Sequence, residues 1–148
     1  MIAIGDVAPE FVAEASNGRR VSLRALRGKV VVLYFYPRSF TPGCSAEARL
    51  FRDNHDELRA LGAEVIGVST DDLDTQCRFA DAEQLPFPLL SDKNRAISGL
   101  YGVLWPLVPI DKRVTFILDE AGVVRAVFRH EFLVSLHLDD VLAFLRRS

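Results

Sequence analysis

Positions 30–36 read Val-Val-Val-Leu-Tyr-Phe-Tyr and stop at Pro37. An unbroken β-branched and aromatic run of this length is the pattern of a strand buried on both faces, so the chain must stack other elements above and below a central sheet. It is the longest apolar run present and far too short to cross a bilayer. The 148 residues are enough to bury such a core as one domain, 1–148, without a disulfide framework or a structural metal.

The covering elements can be read in order. Asn17-Gly18, a pair that readily takes positive φ, separates residues 11–13 from 21–23 and predicts a short N-terminal hairpin. Leu50, Phe51, Leu58 and Leu61 lie near helical spacing, which predicts a helix over 45–61 closed by Gly62. Residues 64–69 read as a second buried strand, and Thr70-Asp71-Asp72 offers a cap to a helix over 73–84. A short segment at 87–90 and a brief helix over 92–98 follow. Residues 114–118 form a third strong strand, turned back by Asp119-Glu120-Ala121-Gly122 into 123–128. Leu138, Val141, Leu142 and Leu145 mark a last amphipathic helix. A βαβ half followed by a ββα half predicts an α/β fold of thioredoxin-like type: a mixed central sheet, helices on both faces and a short N-terminal hairpin.

Lys and Arg number 18 against 20 Asp and Glu, a net charge of −2, and the charges are interspersed rather than gathered into a patch. That distribution points away from nucleic acid and from a membrane surface. The first six residues carry neither a basic stretch nor a small-residue cleavage site, and the expected location is the cytoplasm. Two cysteines at this length make no disulfide scaffold, so a bond between them would be transient and redox-active.

Cys44 follows the central strand at the first turn of the next helix. Unpaired backbone N–H groups and the positive end of the helix dipole favour thiolate over thiol there, as a nucleophile requires. Thr41, three residues upstream, is placed to share a hydrogen bond with the sulfur and with an oxygen of the molecule it attacks, and Pro37 fixes the chain and shields the sulfur from water. The bland alternative is a small buried core residue; a core cysteine needs no Pro-x-x-x-Thr-x-x-Cys neighbourhood.

Pro37-x-x-x-Thr41-x-x-Cys44 resembles the peroxiredoxin signature, and Tyr36-Pro37 through Thr41-Pro42-Gly43-Cys44 with Glu47 is similar to its Q-type, or bacterioferritin comigratory protein, branch. The likeness extends from Gly5-Asp6-Val7-Ala8-Pro9-Glu10-Phe11 through Leu85-Pro86-Phe87-Pro88-Leu89-Leu90-Ser91-Asp92 to Arg113-Val114-Thr115-Phe116-Ile117-Leu118-Asp119. It implies a thioredoxin fold and reduction of hydrogen peroxide and organic hydroperoxides, with no bound cofactor or metal. The expected partners are a peroxide substrate and thioredoxin or a similar dithiol reductant, and the expected state is a monomer. It also gives Arg113 a role that its position alone, beside Lys112 and reading as surface, does not: a permanent cation stabilising the thiolate and the charge that develops on the peroxide oxygens.

After attack Cys44 becomes a sulfenic acid that needs a second thiol. Many Q-type relatives place that thiol five residues on, where this chain has Arg49, so no local intrahelical disulfide can form. Others carry it on the next helix, just after the position of Phe79, where this chain has Ala80; Cys77 lies three residues earlier, on the same face one turn away. Two readings stand. Cys77 resolves Cys44 after local unwinding, with recycling by thioredoxin, or Leu73, Cys77 and Ala80 are a core stripe and the enzyme is one-cysteine with an external thiol reductant.

His55, His130 and His137 share no metal-ligand spacing with the cysteines and read as surface or packing residues. Residues 105–110 could form an apolar lip to the pocket, a buried loop or a dimer contact. Glu47 reads as a first-turn residue favourable to the helix dipole or as a hydrogen-bonding residue within the site, with no catalytic step. A thioredoxin-type dithiol oxidoreductase would need cysteine where Glu47 stands, and a non-enzymatic interaction domain has no reason to keep Pro37, Thr41, Cys44 and Arg113 together.

Overall fold

The computed structural model describes residues 1–147 and is organised around the predicted apolar strand. That strand, β3 (Val30–Phe35), is the middle of a five-stranded sheet; the others are β4 (Ala63–Ser69), β5 (Leu89–Ser91), β6 (Val114–Leu118) and β7 (Val124–Arg129), in the order β5-β4-β3-β6-β7. β3 runs parallel to β4 and antiparallel to β6. β1 (Val12–Glu14) and β2 (Arg20–Ser22) form the separate antiparallel hairpin, with Gly18 at φ +79° in its turn. The mixed sheet and N-terminal hairpin of a thioredoxin-like fold are thus present.

Period-2 alternation sends Val31, Leu33 and Phe35 to one face and Val32 and Tyr34 to the other. The first face is closed by Phe11, by the hairpin and by α4 (Ala96–Tyr101), whose Tyr101 packs on Phe35 and Phe116 and whose Ile97 joins the same cluster. The second is closed by α1 (Pro42–Asp53), α2 (His55–Ala60), α3 (Leu73–Glu83) and α5 (Ser135–Arg147). Tyr34 stacks on Phe51 of α1 with centroids 4.8 Å apart.

Two helices differ from expectation by more than two residues. The helix expected over 45–61 starts three residues earlier and is broken at Asn54, whose side-chain Nδ2 donates to the Leu50 carbonyl and competes with the helical ladder. The helix expected over 92–98 begins only at Ala96. Asp92 turns the chain instead, accepting from the Ile97 and Ser98 amides, and Arg95 sits at φ +62°.

Candidate active site

The sheet register creates the site. Phe35 at the end of β3 pairs with Val114 at the start of β6, so Arg113 lies beside the loop that leaves β3 although it is 69 residues from Cys44. The alternation that puts Val114 and Phe116 on the first face puts Arg113 and Thr115 on the second, under α1.

Cys44 is the third residue of α1, after Thr41 as N-cap and Pro42 in the first turn, and is 2% exposed. Arg113 Nη2 donates to its Sγ at 3.5 Å while Nη1 donates to Glu47 Oε1 at 2.7 Å. Arg113 Nε and backbone N–H donate to Glu131, to its carbonyl and its Oε1 respectively. The guanidinium is therefore gripped from two sides and aimed at the sulfur. It is buried, not the surface side chain its position beside Lys112 suggested. Burial opposes its charge, but Glu47 and Cys44 outweigh that and raise its pKa.

Glu47 is not a first-turn dipole residue. It lies in the second turn, 1% exposed, on the face of α1 that carries Cys44. Burial pushes its pKa up to about 7, with Arg113 pulling against the shift. Behind it, His137 Nδ1 lies 4.0 Å from Glu47 Oε2. His137 Nε2 can only donate to the His130 carbonyl, and in the neutral ring Nδ1 accepts from the Thr115 hydroxyl. Burial lowers its pKa to about 4, in agreement.

Pro37, Thr41, Gly43 and Arg113 line a cleft of about 460 Å³ with Trp105, Glu131, Phe132 and Val134. Thr41 differs in detail from expectation: its hydroxyl donates to the Arg38 carbonyl at 2.7 Å rather than to the sulfur, which leaves its oxygen as an acceptor. Residues 105–110 are no buried loop; Trp105, Leu107 and Val108 are exposed, and Trp105 and Phe132 form an apolar rim to the cleft. A larger cleft of about 570 Å³, between the hairpin and α4, contains none of the candidate catalytic residues.

Cys77 sits on α3, half-buried, with its Sγ donating to the Ser16 carbonyl of the hairpin turn at 3.7 Å. Leu73, Cys77 and Ala80 are only half-buried, and Ala80 packs at the edge of the core; the residues α3 buries fully are Gln76 and Phe79, and Gln76 donates to the Leu90 carbonyl of β5. Both cysteines are free.

The sequence profile of the AhpC/TSA family matches residues 4–127. A chloroplastic peroxiredoxin Q of Gentiana triflora is 39% identical over 148 residues, covering 99% of this chain and 68% of that one. The chain belongs to the peroxiredoxin Q branch of the AhpC/TSA family. As a peroxiredoxin it is a thiol-dependent peroxidase. The Arabidopsis thaliana chloroplastic peroxiredoxin Q is 41% identical over 97% of this chain and 67% of its own. The crystal structure of peroxidoxin BcpB from Mycobacterium tuberculosis superposes with a TM-score of 0.93 at 35% identity, covering 99% of this peroxiredoxin and 98% of that chain. A Xanthomonas campestris bacterioferritin comigratory protein, described for its alkyl peroxide reduction, gives 0.86 at 32% identity over 93% and 90% of the two chains.

Three residues join this peroxiredoxin site beyond the candidate catalytic set: Glu47, Glu131 and His137. Glu47 was detectable as the i+3 neighbour of Cys44 on a helix. Glu131 and His137 come from the far end of the chain and meet the site only through the β6–β7 hairpin and α5; no local pattern marks them.

Proposed function

We propose that Cys44 is the peroxidatic nucleophile and that Arg113 is its electrostatic partner. The observation that carries this reading is the 3.5 Å approach of a guanidinium to a buried sulfur, with the same guanidinium held by Glu47. The thiolate attacks one peroxide oxygen and the O–O bond breaks. The bonding pair leaves on the other oxygen, which takes up a proton to depart as water or an alcohol, and Cys44 becomes a sulfenic acid. Arg113 stabilises the charge that develops on the oxygens. Thr41, its proton committed to Arg38, accepts a hydrogen bond from the peroxide O–H and orients it, while Pro37 walls the cleft. The substrates are hydrogen peroxide and organic hydroperoxides.

The Cys77 thiol then attacks the sulfenic sulfur, forming the disulfide and releasing water, and a thioredoxin-class dithiol restores both thiols. The enzyme works as a cytoplasmic monomer in a single domain. The half-exposed position of Cys77 supports access by a reductant. A second reading, a one-cysteine peroxidase reduced by an external thiol, is favoured by the contact of Cys77 with the hairpin turn. One equivalent of hydrogen peroxide and a non-reducing intact mass, with Cys44→Ser as control, decides between them. Loss of two hydrogens means resolution by Cys77, gain of one oxygen means the one-cysteine enzyme, and an unchanged mass sinks the role of Cys44.

A further inference from the structure

Cys44 is 2% exposed, so its sulfenic acid meets no second sulfur and no reductant until the segment around it moves. What holds that segment is a set of buried polar contacts outside the peroxide cleft. Gln76, fully buried on α3, accepts at Oε1 from the Ser39 hydroxyl at 2.6 Å and from the Tyr36 hydroxyl at 2.9 Å. Its Nε2 donates to Ser69 Oγ at 2.9 Å and to the Leu90 carbonyl at 2.8 Å, which ties the amide to the ends of β4 and β5. The Ser39 backbone N–H donates to Asp71 Oδ2, which also accepts from the Ser69 hydroxyl. All four of the bonds a glutamine side chain can readily form are thus used, and two of them hold the residues between β3 and Thr41.

The segment so held is strained. Phe40, directly before Thr41, has φ +67°, a left-handed conformation that a bulky residue adopts only when its surroundings impose it. Its ring meets Phe79 of α3 edge-on at 5.1 Å, so α3 grips both neighbours, Ser39 and Phe40. Release of these contacts relieves Phe40 and frees the N-terminus of α1, whereas release of α1 alone would leave both still pinned.

We propose that Gln76 is a positioning residue that latches residues 36–41 onto α3 and sets how quickly oxidised Cys44 leaves its pocket. The latch is adjacent in sequence to Cys77, so the helix that would supply the second thiol is the helix that restrains the first. The proposal rests on Cys44 being the oxidised residue; only its coupling to disulfide formation rests on Cys77 as resolving thiol.

The test uses full-length protein in the Cys77→Ser background, oxidised with one equivalent of hydrogen peroxide, and follows capture of the sulfenic acid by dimedone. Ser39→Ala, which loses one of the bonds to the segment, speeds capture by about tenfold, Gln76→Leu, which loses both, speeds it by at least about tenfold, and both speed hydrogen exchange at the backbone amide of position 39. A merely structural Gln76 lowers the thermal midpoint and leaves capture unchanged below it. Capture within about twofold of the background rate in both variants overturns the proposal, and Ser39→Ala keeps it open to refutation if Gln76→Leu does not fold. With both cysteines intact, gain of one oxygen in place of loss of two hydrogens overturns resolution by Cys77 while the dimedone result still decides the latch.

Discussion

Glu47 and Arg113 form an ion pair at 2.7 Å whose side chains are 1% and 7% exposed. A pair so buried gains little stability, because desolvation offsets the Coulomb attraction. Its effect here is geometric: with Nη1 fixed on Glu47 and Nε on the Glu131 carbonyl, Nη2 is left with Cys44 Sγ as its partner. Arg113→Ala is expected to lower the second-order rate constant for peroxide on the order of 10²–10³-fold, as when an oxyanion donor is removed. Arg113→Lys is expected to rescue little of it, since one ammonium cannot span both partners. Stopped-flow peroxide consumption measures both, and an unchanged constant in Arg113→Ala would remove Arg113 from the chemistry.

Gly43 separates activity from stability. A Cβ there would stand 3.2 Å from Arg113 Nη2, and the guanidinium cannot yield without loosening its bonds to Glu47 or Glu131. Alanine in place of glycine is worth about 0.5–1 kcal/mol in a helix interior and less at Gly43, the second residue of α1. Gly43→Ala should therefore hold or raise the thermal midpoint while peroxide reduction slows by about tenfold, the equivalent of about 1.4 kcal/mol in the barrier. A variant as fast as the parent would show that the guanidinium is less tightly held than its contacts imply.

Asp111 gives the protein a pH dependence. It is fully buried, neither carboxylate oxygen has a partner within hydrogen-bond geometry, and burial pushes its pKa up to about 8, with the nearby Ser98 hydroxyl pulling against the shift and the charges of Asp92 and Asp71 adding to it. A carboxyl whose folded pKa is raised contributes stability that is complete below its unfolded pKa and lost as pH rises through the folded value. Stability should thus fall between about pH 4 and pH 8, and Asp111→Asn should flatten that slope. Denaturant midpoints at the two ends, compared between parent and variant, should differ in slope by more than one pKa unit of linkage, about 1.4 kcal/mol; parallel profiles would count against a neutral Asp111.

Cys77→Ser retains a hydroxyl donor for the Ser16 carbonyl, so the fold should be undisturbed. Under the two-cysteine reading, steady-state turnover with a dithiol reductant should fall by at least about tenfold, and excess peroxide should carry Cys44 on to sulfinic acid. Turnover equal to that of the parent would assign Cys77 to packing.

Phe51 tests the floor beneath the site. It is fully buried on α1 and stacks on Tyr34 of β3. Phe51→Ala should cost about 3–5 kcal/mol, read from urea denaturation. A much smaller loss would mean that α1 settles onto the sheet without it.

The sequence by itself determined the strands and most helices. The run at 30–36, the cap at Asp72 and the apolar spacing of α5 are local signals with local causes: alternation, capping and amphipathic periodicity. It also made Cys44 stand out, because Pro37, Thr41 and Cys44 lie within eight consecutive positions. Where it misjudged a boundary, a polar side chain competed for the backbone, Asn54 in one case and Asp92 in the other. The tertiary structure alone decided what surrounds the sulfur. Glu47 turns inward because Arg113 waits there, Arg113 is there because Phe35 pairs with Val114, and Gln76 reaches Ser39 because β4 and β5 carry α3 alongside the loop. Contacts between residues tens of positions apart depend on strand register and helix docking, and neither is encoded in the spacing of neighbours along the chain.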